Sequence, residues 1–283
     1  MNIFVVGLGL IGGSVCKALK KYTNHTVIGS DSDKNVETLA ISEHSIDRIS
    51  DENYADIDLV IICLYPQATE KLFLHIADKL SSKAVITDVC GIKGDFALRM
   101  HKIALEHNLN YVGIHPMAGK EVGGYLNSSA DLFNNANFII TPFNDSKTYV
   151  IELLKNISYE IGAKKIVITT TSEHDKIIAY TSQLAHIVSS AYVKSPVLEK
   201  ECGFSGGSFQ DMTRIATMNE TMWSSLFIQN RENLLNELDL LIDNLSQYRN
   251  ALADSDEDKL SSLIKQGRLL KEKNIQNRIG QPN

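Results

Sequence analysis

The sequence of 283 residues has few cysteines, and their positions exclude several classes of protein. The four cysteines are Cys16, Cys63, Cys90 and Cys202, and they form no Cys-x-x-Cys pair. This spacing fits neither a zinc site nor the disulfide framework of a small secreted domain. Because Cys16 and Cys63 lie in apolar stretches, we expect buried, reduced thiols, a cytoplasmic protein and no bound metal.

The sequence also lacks long apolar runs and an excess of positive charge. No apolar run approaches the ~20 residues that span a bilayer, and no basic segment precedes the apolar N-terminus as in a signal peptide. The formal net charge is −6. A chain with this charge gains little from phosphate groups or anionic lipids, so we expect no nucleic acid and no membrane as partners.

The first part of the sequence alternates short apolar runs with helix-like segments. The runs are rich in Val, Ile and Leu and occupy residues 2–6, 26–29, 59–63, 84–87, 111–114, 138–141 and 165–168. Nearly continuous apolar runs are typical of parallel strands that are buried on both faces of a sheet. Amphipathic segments such as 12–22 and 67–80 separate them. This alternation predicts a doubly wound α/β domain over residues 1–170.

The second part of the sequence shows helical periodicity and no convincing strand. Helical segments are predicted at about 172–194, 211–219, 221–253 and 254–273, with Ser172 as the N-cap of the first. We therefore expect an all-α domain over residues 171–273, with the domain boundary near Thr170. Residues 274–283 are polar and include Gly and Pro, which predicts a frayed tail.

A glycine-rich motif follows the first predicted strand and opens the first predicted helix. The motif has the pattern Gly-x-Gly-x-x-Gly and consists of Gly7, Leu8, Gly9, Leu10, Ile11 and Gly12. Between a strand and a helix this pattern predicts a Rossmann-type site for a dinucleotide. Gly7 allows a tight turn, Gly9 lets the backbone approach a pyrophosphate, and Gly12 lets helix and strand pack closely. The N–H groups at the start of the helix face the phosphates.

An acidic residue at the end of the second predicted strand indicates which dinucleotide binds. Asp31 follows Gly7 at close to the spacing expected of the ribose-binding acid. A carboxylate there accepts hydrogen bonds from ribose hydroxyls and repels a 2′-phosphate, so we expect NAD rather than NADP. Leu64, Tyr65 and Pro66 follow the third predicted strand and are expected to line the adenine or ribose side of the same cleft. The alternative is a glycine-rich turn beside an unrelated surface carboxylate.

Three further segments carry a family resemblance. They run from Thr87 to Lys93 (TDVCGIK), from Gly113 to Gly124 (GIHPMAGKEVGG) and from Gly203 to Ala216 (GFSGGSFQDMTRIA). Together with the glycine-rich motif they resemble, in order and over nearly the whole chain, the motifs of the prephenate and arogenate dehydrogenases. The resemblance implies NAD-dependent oxidation of prephenate with loss of carbon dioxide, which yields 4-hydroxyphenylpyruvate in tyrosine biosynthesis. It also implies a Rossmann domain paired with a helical domain that forms a homodimer.

The resemblance implies a set of site residues. His115 matches the family's catalytic histidine, and an imidazole with a pKa near neutrality suits a group that accepts the proton of the substrate hydroxyl. Arg214 matches the substrate-binding arginine, whose guanidinium holds a carboxylate through two hydrogen bonds. His186, Ser182 one helical turn before it, and Glu121 complete the expected substrate site. The alternatives are a core or interface position for His186, a surface carboxylate for Glu121 and a solvated helix residue for Arg214.

The sequence departs from the family at one position. Many members have Ser where this chain has Gly91, and that hydroxyl contacts the substrate hydroxyl or the nicotinamide. We count Gly91 with the cofactor site but do not expect the neighbouring thiol of Cys90, a weak donor, to replace the serine. Trp223 matches a family aromatic residue, although an apolar core position explains it equally. His174 and Asp175 also recur in the family, and Asp175 is expected to anchor its helix.

Three alternative functions remain from the sequence. An arogenate dehydrogenase uses the same scaffold on the aminated substrate. A β-hydroxyacid dehydrogenase also joins a Rossmann domain to helices and would use a lysine after the domain junction, where Lys176 is present. A non-catalytic NAD-sensing protein would not need His115 or Arg214, yet the chain has both.

Overall fold

The computed structural model describes residues 1–279 of the chain. The chain forms two compact units, the first from Met1 to Asn230 and the second beginning at Arg231. The domain boundary that the sequence predicts near Thr170 lies inside the first unit. There, Asp175 accepts backbone hydrogen bonds from Lys93 and Gly94, which ties the first helix after the boundary to the α/β region. A boundary near Thr170 stays a prediction.

A six-stranded parallel sheet forms the centre of the first unit, and the predicted α/β class is confirmed. Its strand order is β3-β2-β1-β4-β5-β6. The strands are β1 (Asn2–Val6), β2 (Thr26–Ser30), β3 (Arg48–Ile49), β4 (Leu59–Ile62), β5 (Val85–Asp88) and β6 (Asn110–Tyr111). The chain leaves β1 in one direction to β2 and β3, and β4 lies on its other side. This reversal opens a crevice at the carboxyl ends of β1 and β4, which is where open α/β sheets bind ligands.

Both faces of this sheet are covered by helices. Ile3 and Val5 of β1 belong to one apolar cluster, with α1 (Leu10–Tyr22), α2 (Lys34–Ser42) and α5 (Thr148–Glu160). Phe4 and Val6 belong to a second cluster on the other face, with α3 (Pro66–Ile76) and α4 (Gly94–Glu106). Since side chains alternate between the faces of a strand, burial on both faces explains why the strands read as continuous apolar runs.

The last three strands form a second sheet, which the sequence did not predict. The predicted strand at 111–114 is divided, so that β6 ends at Tyr111 and β7 (Gly113–Pro116) starts a sheet with β8 (Asn137–Thr141) and β9 (Lys165–Ile168). β7 and β8 are antiparallel, whereas β8 and β9 are parallel. A Cβ at Gly113 would lie 3.0 Å from Asp88 Oδ2. The chain passes over this buried side chain because position 113 is glycine.

The helical run after β9 extends from Thr171 to Tyr192. It consists of α6 (Thr171–Ile178), a π-helical turn (Ala179–Gln183) and α7 (Leu184–Tyr192). Its N-cap is Thr170, whose side chain accepts the Glu173 N–H, and not Ser172 as the sequence predicted. Further short helices follow, namely a 3₁₀ turn (Pro196–Lys200), α8 (Gly207–Thr213), a 3₁₀ turn (Arg214–Ala216) and α9 (Glu220–Gln229). π-helical turns within α-helices are frequent at functional sites.

The second unit consists of α10 (Arg231–Ala253) and α11 (Glu257–Ile279), which pack against each other. The sequence predicted a frayed tail from residue 274, but α11 continues through residue 279. The glycine and proline that suggested the tail are at positions 280 and 282, outside the described residues, and residues 274–279 contain no helix breaker. Within residues 1–279, no helix is long and apolar enough to cross a membrane.

Candidate active site

The glycine-rich motif forms a tight loop between β1 and α1. Gly7 has a positive φ of 84°, and a Cβ there would lie 2.6 Å from the carbonyl oxygen of Cys63. A Cβ at Gly12 would lie 1.9 Å from the carbonyl oxygen of Gly7. Gly9 differs, because no atom lies within 4 Å of the position its Cβ would take. Gly9 is also the N-cap of α1 and gives it no side-chain cap. This open helix start suits a phosphate.

Asp31 lies beside this loop at the end of β2. Its carboxylate accepts the Leu8 N–H at 2.7 Å and the Asp33 N–H at 2.9 Å. Sequence reasoning missed Glu37, a buried residue of α2 that accepts the Asp31 N–H at 3.0 Å and pairs with Lys34 at 2.9 Å. The spacing of Glu37 from Asp31 carries no motif that would have revealed it. Two carboxylates therefore lie next to the glycine-rich loop, and the nearby lysine is paired.

The segment after β4 divides into residues that support the loop and residues that face a cavity. The side chain of Leu64 packs against Gly7, since a Cβ there would lie 2.7 Å from Leu64 Cδ2. Tyr65 and Pro66 line a cavity of about 380 Å³ together with residues of α9. These α9 residues were not identified from the sequence as part of a site. The lining from α9 includes Met222 and Leu226. The cavity joins the ligand end of the parallel sheet to the helical region.

His115 lies within strand β7 of the second sheet, where it pairs with Ile139 of β8. The strand predicted from the sequence ends at residue 114, before His115, and this was wrong because β7, in a separate sheet, continues through Pro116. The His115 ring is half-buried, and its Nδ1 lies 2.9 Å from His174 Nε2. His174 is buried, and its Nδ1 lies 2.6 Å from Asp175 Oδ1. These three side chains form a continuous row of hydrogen bonds.

The surroundings of His115 keep its imidazole neutral. Burial is the main cause that lowers the pKa of His115 well below its ordinary value, and the neighbouring His174 and Lys93 lower it further. A low pKa means that the ring carries no proton on one nitrogen at neutral pH. His115 is therefore ready to accept a proton.

No side chain of the segment from Asp88 to Lys93 takes the place of the family's serine beside His115. A Cβ at Gly91 would lie 3.8 Å from His115 Nε2, so this nitrogen faces the glycine. The Cys90 thiol lies 3.4 Å from the Leu64 carbonyl oxygen, and burial raises its pKa well above the usual range. Cys90 is thus a buried, protonated thiol that supports the turn after β4.

A buried ionic cluster lies beneath His115. Lys93 Nζ donates to Asp88 Oδ1 at 2.6 Å and to the Ile114 carbonyl oxygen at 2.7 Å, and Tyr111 donates to Asp88 Oδ2 at 2.7 Å. Lys93 and Asp88 have no exposed side-chain area. The sequence does not reveal this cluster beyond the family segment in which both residues occur. The cluster fixes the start of β7, and with it His115, over the end of β5.

The expected substrate residues lie on the segment after β7 and on the helices. Arg214 Nη1 donates to Glu121 Oε1 at 2.5 Å, and this contact joins the two regions. The backbone N–H of Glu121 itself and the bond from Arg214 lower the pKa of Glu121. Both side chains are largely exposed, so Arg214 is accessible to an anion from solvent.

His186 is held by two contacts. Its ring stacks on Trp223 with 3.7 Å between centroids, and its Nδ1 lies 2.9 Å from the carbonyl oxygen of Ser182. Ser182 thus contacts His186 through its backbone carbonyl oxygen. Burial is the first cause that lowers the pKa of His186, and Arg214 also lowers it. The charge of Arg214 therefore disfavours the protonated form of His186.

The arrangement combines an anion-binding loop, a neutral base and an accessible cation. These groups suit a reaction in which a hydroxyl loses its proton while a hydride leaves for a dinucleotide. Lys176, the residue that a β-hydroxyacid dehydrogenase would use, is exposed to solvent. Among residues 1–279, no group of three or more His, Cys, Asp or Glu side chains has the geometry of a metal site.

Two family models match the chain. The prephenate dehydrogenase nucleotide-binding domain matches residues 15–167, and the prephenate dehydrogenase dimerization domain matches residues 170–266. The first match begins after the glycine-rich motif, so this motif is evidence that is separate from the family match. A prephenate dehydrogenase of Lactococcus lactis is 27% identical over 282 residues, which cover 96% of this chain and 77% of that protein. A cyclohexadienyl dehydrogenase of Zymomonas mobilis is 29% identical over 279 residues, with 94% and 93% coverage.

Solved structures show the same fold over nearly the whole chain. The prephenate dehydrogenase of Aquifex aeolicus, crystallised with hydroxyphenyl propionate and NAD+, has a TM-score of 0.86 and 24% identity and covers 96% of this chain and 98% of its own. The arogenate dehydrogenase of Synechocystis has a TM-score of 0.82 and 24% identity, with 97% and 100% coverage.

The buried pair of Lys93 and Asp88 predicts a strong effect on stability. We expect Lys93→Met to lower the free energy of unfolding by ~3–5 kcal/mol, because it leaves the Asp88 carboxylate buried without its cation. Guanidinium unfolding measures this change. The double variant Asp88→Asn/Lys93→Met should recover part of the loss, since no buried charge remains.

The matched control is Lys102→Met. This lysine is 78% exposed and pairs loosely with Glu106, so the change should stay within about 0.5 kcal/mol. A loss for Lys93→Met no larger than that of the control would contradict the role of the buried pair.

Proposed function

The chain belongs to the prephenate dehydrogenase family, and on this basis we propose that it oxidises prephenate with NAD+ in tyrosine biosynthesis. The ring carboxylate leaves as carbon dioxide and the product is 4-hydroxyphenylpyruvate. The observation that carries the proposal is the neutral, half-buried His115, whose Nε2 faces the segment after β5 while its Nδ1 is held by His174. A base in this position can take the proton of the substrate's ring hydroxyl.

The residues around the glycine-rich loop fit a bound NAD+. The N–H groups at the start of α1 and the space at Gly9 suit the pyrophosphate, and the Asp31 carboxylate suits the ribose hydroxyls. Glu37 adds a second carboxylate and occupies Lys34, the nearby cation that would otherwise attract a 2′-phosphate. NAD+, when bound, accepts the hydride from the ring carbon that carries the hydroxyl.

The remaining residues bind and orient the substrate. Arg214 uses one guanidinium nitrogen for Glu121, and its other N–H groups can hold a substrate carboxylate. His186 is fixed by Trp223 and Ser182, and the charge of the same arginine favours its neutral form. His115 accepts the hydroxyl proton at Nε2 as the hydride leaves. Since loss of carbon dioxide makes the ring aromatic, the protein contributes mainly positioning and electrostatic stabilisation.

The first test of the proposal is NADH formation from prephenate by the purified protein, with arogenate in a parallel assay. Prephenate should give NADH, and His115→Asn should lower kcat/KM by about 10²–10⁴-fold because the base is lost. Arg214→Gln should chiefly raise KM for the substrate. The ratio of the two substrates' kcat/KM distinguishes a prephenate dehydrogenase from an arogenate dehydrogenase.

His75→Asn is the matched control, because this histidine is exposed on α3, and the variant should keep its activity. If neither substrate gives NADH, in protein that binds NAD+, the proposed reaction is wrong. The chain would then be only a nucleotide-binding protein.

The acidic residues at β2 predict a preference for NAD+ over NADP+. We expect kcat/KM for NADP+ to be at least about tenfold lower, since the 2′-phosphate would meet the Asp31 carboxylate. Asp31→Ser should lower the ratio of kcat/KM for NAD+ to that for NADP+. Asp51→Ser, at an exposed position, should leave this ratio unchanged. Equal kcat/KM values for both cofactors in the unaltered protein would disprove the assignment.

We also propose a homodimer that forms through the helical region. The two long helices carry many exposed apolar side chains, among them Leu235, Leu240, Ile242, Leu245, Ile264 and Leu270. Exposed apolar surface of this extent marks an interaction site, and the matched dimerization domain supports a second copy of the chain as its occupant.

Light scattering should give twice the chain mass of 31.4 kDa at micromolar concentration. Leu240→Glu/Leu245→Glu should shift the mass towards that of one chain. Leu126→Glu, at an equally apolar and 80% exposed position before the helical region, should not. A monomeric mass for the unaltered protein would exclude the dimer.

A further inference from the structure

In the row of hydrogen bonds that joins Asp175, His174 and His115, each bond has an assignable donor and acceptor. It begins at Asp175, whose carboxylate accepts the N–H groups of Lys93 at 2.8 Å and Gly94 at 2.7 Å. These N–H groups lie at the start of α4, where a negative charge is favoured. An ionised carboxylate only accepts hydrogen bonds. The His174 Nδ1, 2.6 Å from Asp175 Oδ1, must therefore carry a proton.

This direction continues to the catalytic histidine. A neutral imidazole with a proton on Nδ1 has a lone pair on Nε2, so His174 Nε2 acts as an acceptor. The group that it faces at 2.9 Å is His115 Nδ1, which must then be the donor. His115 consequently has its proton on Nδ1 and its lone pair on Nε2, the nitrogen that faces Gly91.

We infer that His174 and Asp175 are positioning residues that hold His115 in the tautomer with Nε2 free to accept the substrate's proton. The inference rests on the proposed function, because His115 is the base of that reaction. In the step itself the O–H bond of the substrate hydroxyl breaks and an N–H bond forms at Nε2. His115 then carries a positive charge, and the Asp175 carboxylate at the end of the row balances it.

The groups around His115 determine the direction of the pH effect. His174 faces it from α6, Lys93 from the segment before α4, and Asp88 lies behind Lys93. His174 and Lys93 disfavour the charged ring, so Asp175 is the anion on this row that favours it. As the pH rises through the pKa of His115, the base loses its proton and kcat/KM increases. Removal of the Asp175 charge should lower this pKa, so that the rise of kcat/KM with pH, the acidic limb of the profile, moves to lower pH.

The test is Asp175→Asn, read by two independent measurements. An amide has one acceptor end where the carboxylate has two, and the N–H groups of Lys93 and Gly94 compete with His174 Nδ1 for it. The fraction of His115 that carries its proton on Nε2 should therefore rise. Nitrogen NMR of labelled histidine reports this tautomer without any substrate. In the assay with prephenate and NAD+, the pH-independent kcat/KM should fall by about 10²–10⁴-fold. Its acidic limb should lie at lower pH than in the unaltered enzyme.

A second pair of variants keeps the test decisive if Asp175→Asn does not fold. The amide oxygen of His174→Gln can still accept from His115 Nδ1, whereas His174→Phe has no acceptor. His174→Gln should therefore keep the His115 tautomer and more activity than His174→Phe. Gln183→Leu is the control, since Gln183 is buried on the same helical run and bonds to Leu226 and Asn230. It should lower stability but leave the tautomer and the pH profile unchanged.

Two results would overturn the inference. One is a folded Asp175→Asn variant with the His115 tautomer and the pH profile of the unaltered enzyme. The other is equal behaviour of His174→Gln and His174→Phe. Failure of the proposed function is distinguishable, because an inactive unaltered protein would still show the His115 tautomer by NMR.

Discussion

The contact on which the site depends is the pair of hydrogen bonds from the start of α4 to the Asp175 carboxylate. It ties α6 to the α/β region within the first unit. The same carboxylate positions His174, and His174 positions His115. Because each contact in this series has one donor and one acceptor, the direction of the first bond determines that of the others. A residue that looks like a helix anchor in the sequence thus also determines, in the inference drawn above, which nitrogen of His115 carries the proton.

The buried cluster of Asp88, Lys93 and Tyr111 is a second set of contacts that holds the segment of His115, through the Ile114 carbonyl oxygen. Moving a lysine and an aspartate out of water is unfavourable, and their mutual attraction offsets this only when further hydrogen bonds satisfy both groups. Tyr111 and the Cys90 N–H complete the shell of Asp88, and the Ile114 carbonyl oxygen completes that of Lys93. The hydrogen bonds of Tyr111 and of the Ile114 carbonyl oxygen to this cluster stabilise the path of the chain from β6 to β7. That path leaves the parallel sheet and brings His115 into the second sheet.

The site divides the chemical work between rigid and accessible parts. The glycine-rich loop and Asp31 follow the buried strands β1 and β2, and the hydrogen bond from the Leu8 N–H to the Asp31 carboxylate joins them, so their geometry is set before a cofactor binds. Arg214 and Glu121 are exposed and joined by a single ion pair. An exposed ion pair contributes little to stability and exchanges partners readily. This suits an arginine that must accept a substrate from solvent.

The sequence alone was sufficient for the α/β class and for the position of the glycine-rich loop between β1 and α1 and of the acidic residue after β2. These features depend on local patterns, namely continuous apolar runs, glycines that a tight turn requires and a fixed spacing within one βαβ unit. The family motifs added His115, Arg214 and His186. The sequence misplaced the N-cap at Ser172 and the end of α11, because such boundaries depend on contacts of single residues.

Only the tertiary structure decided how the remote segments meet. The second sheet, the contact of Ser182 through its carbonyl oxygen, the role of Glu37 and the row from Asp175 to His115 follow from side chains that are far apart in the chain. Asp175 and Lys93 have no common motif, yet a hydrogen bond joins them at the end of the row that leads to His115. Periodicity and spacing report which face of an element is buried. They cannot report which donor finds which acceptor once two elements pack, because that depends on the distances and directions that the fold alone provides.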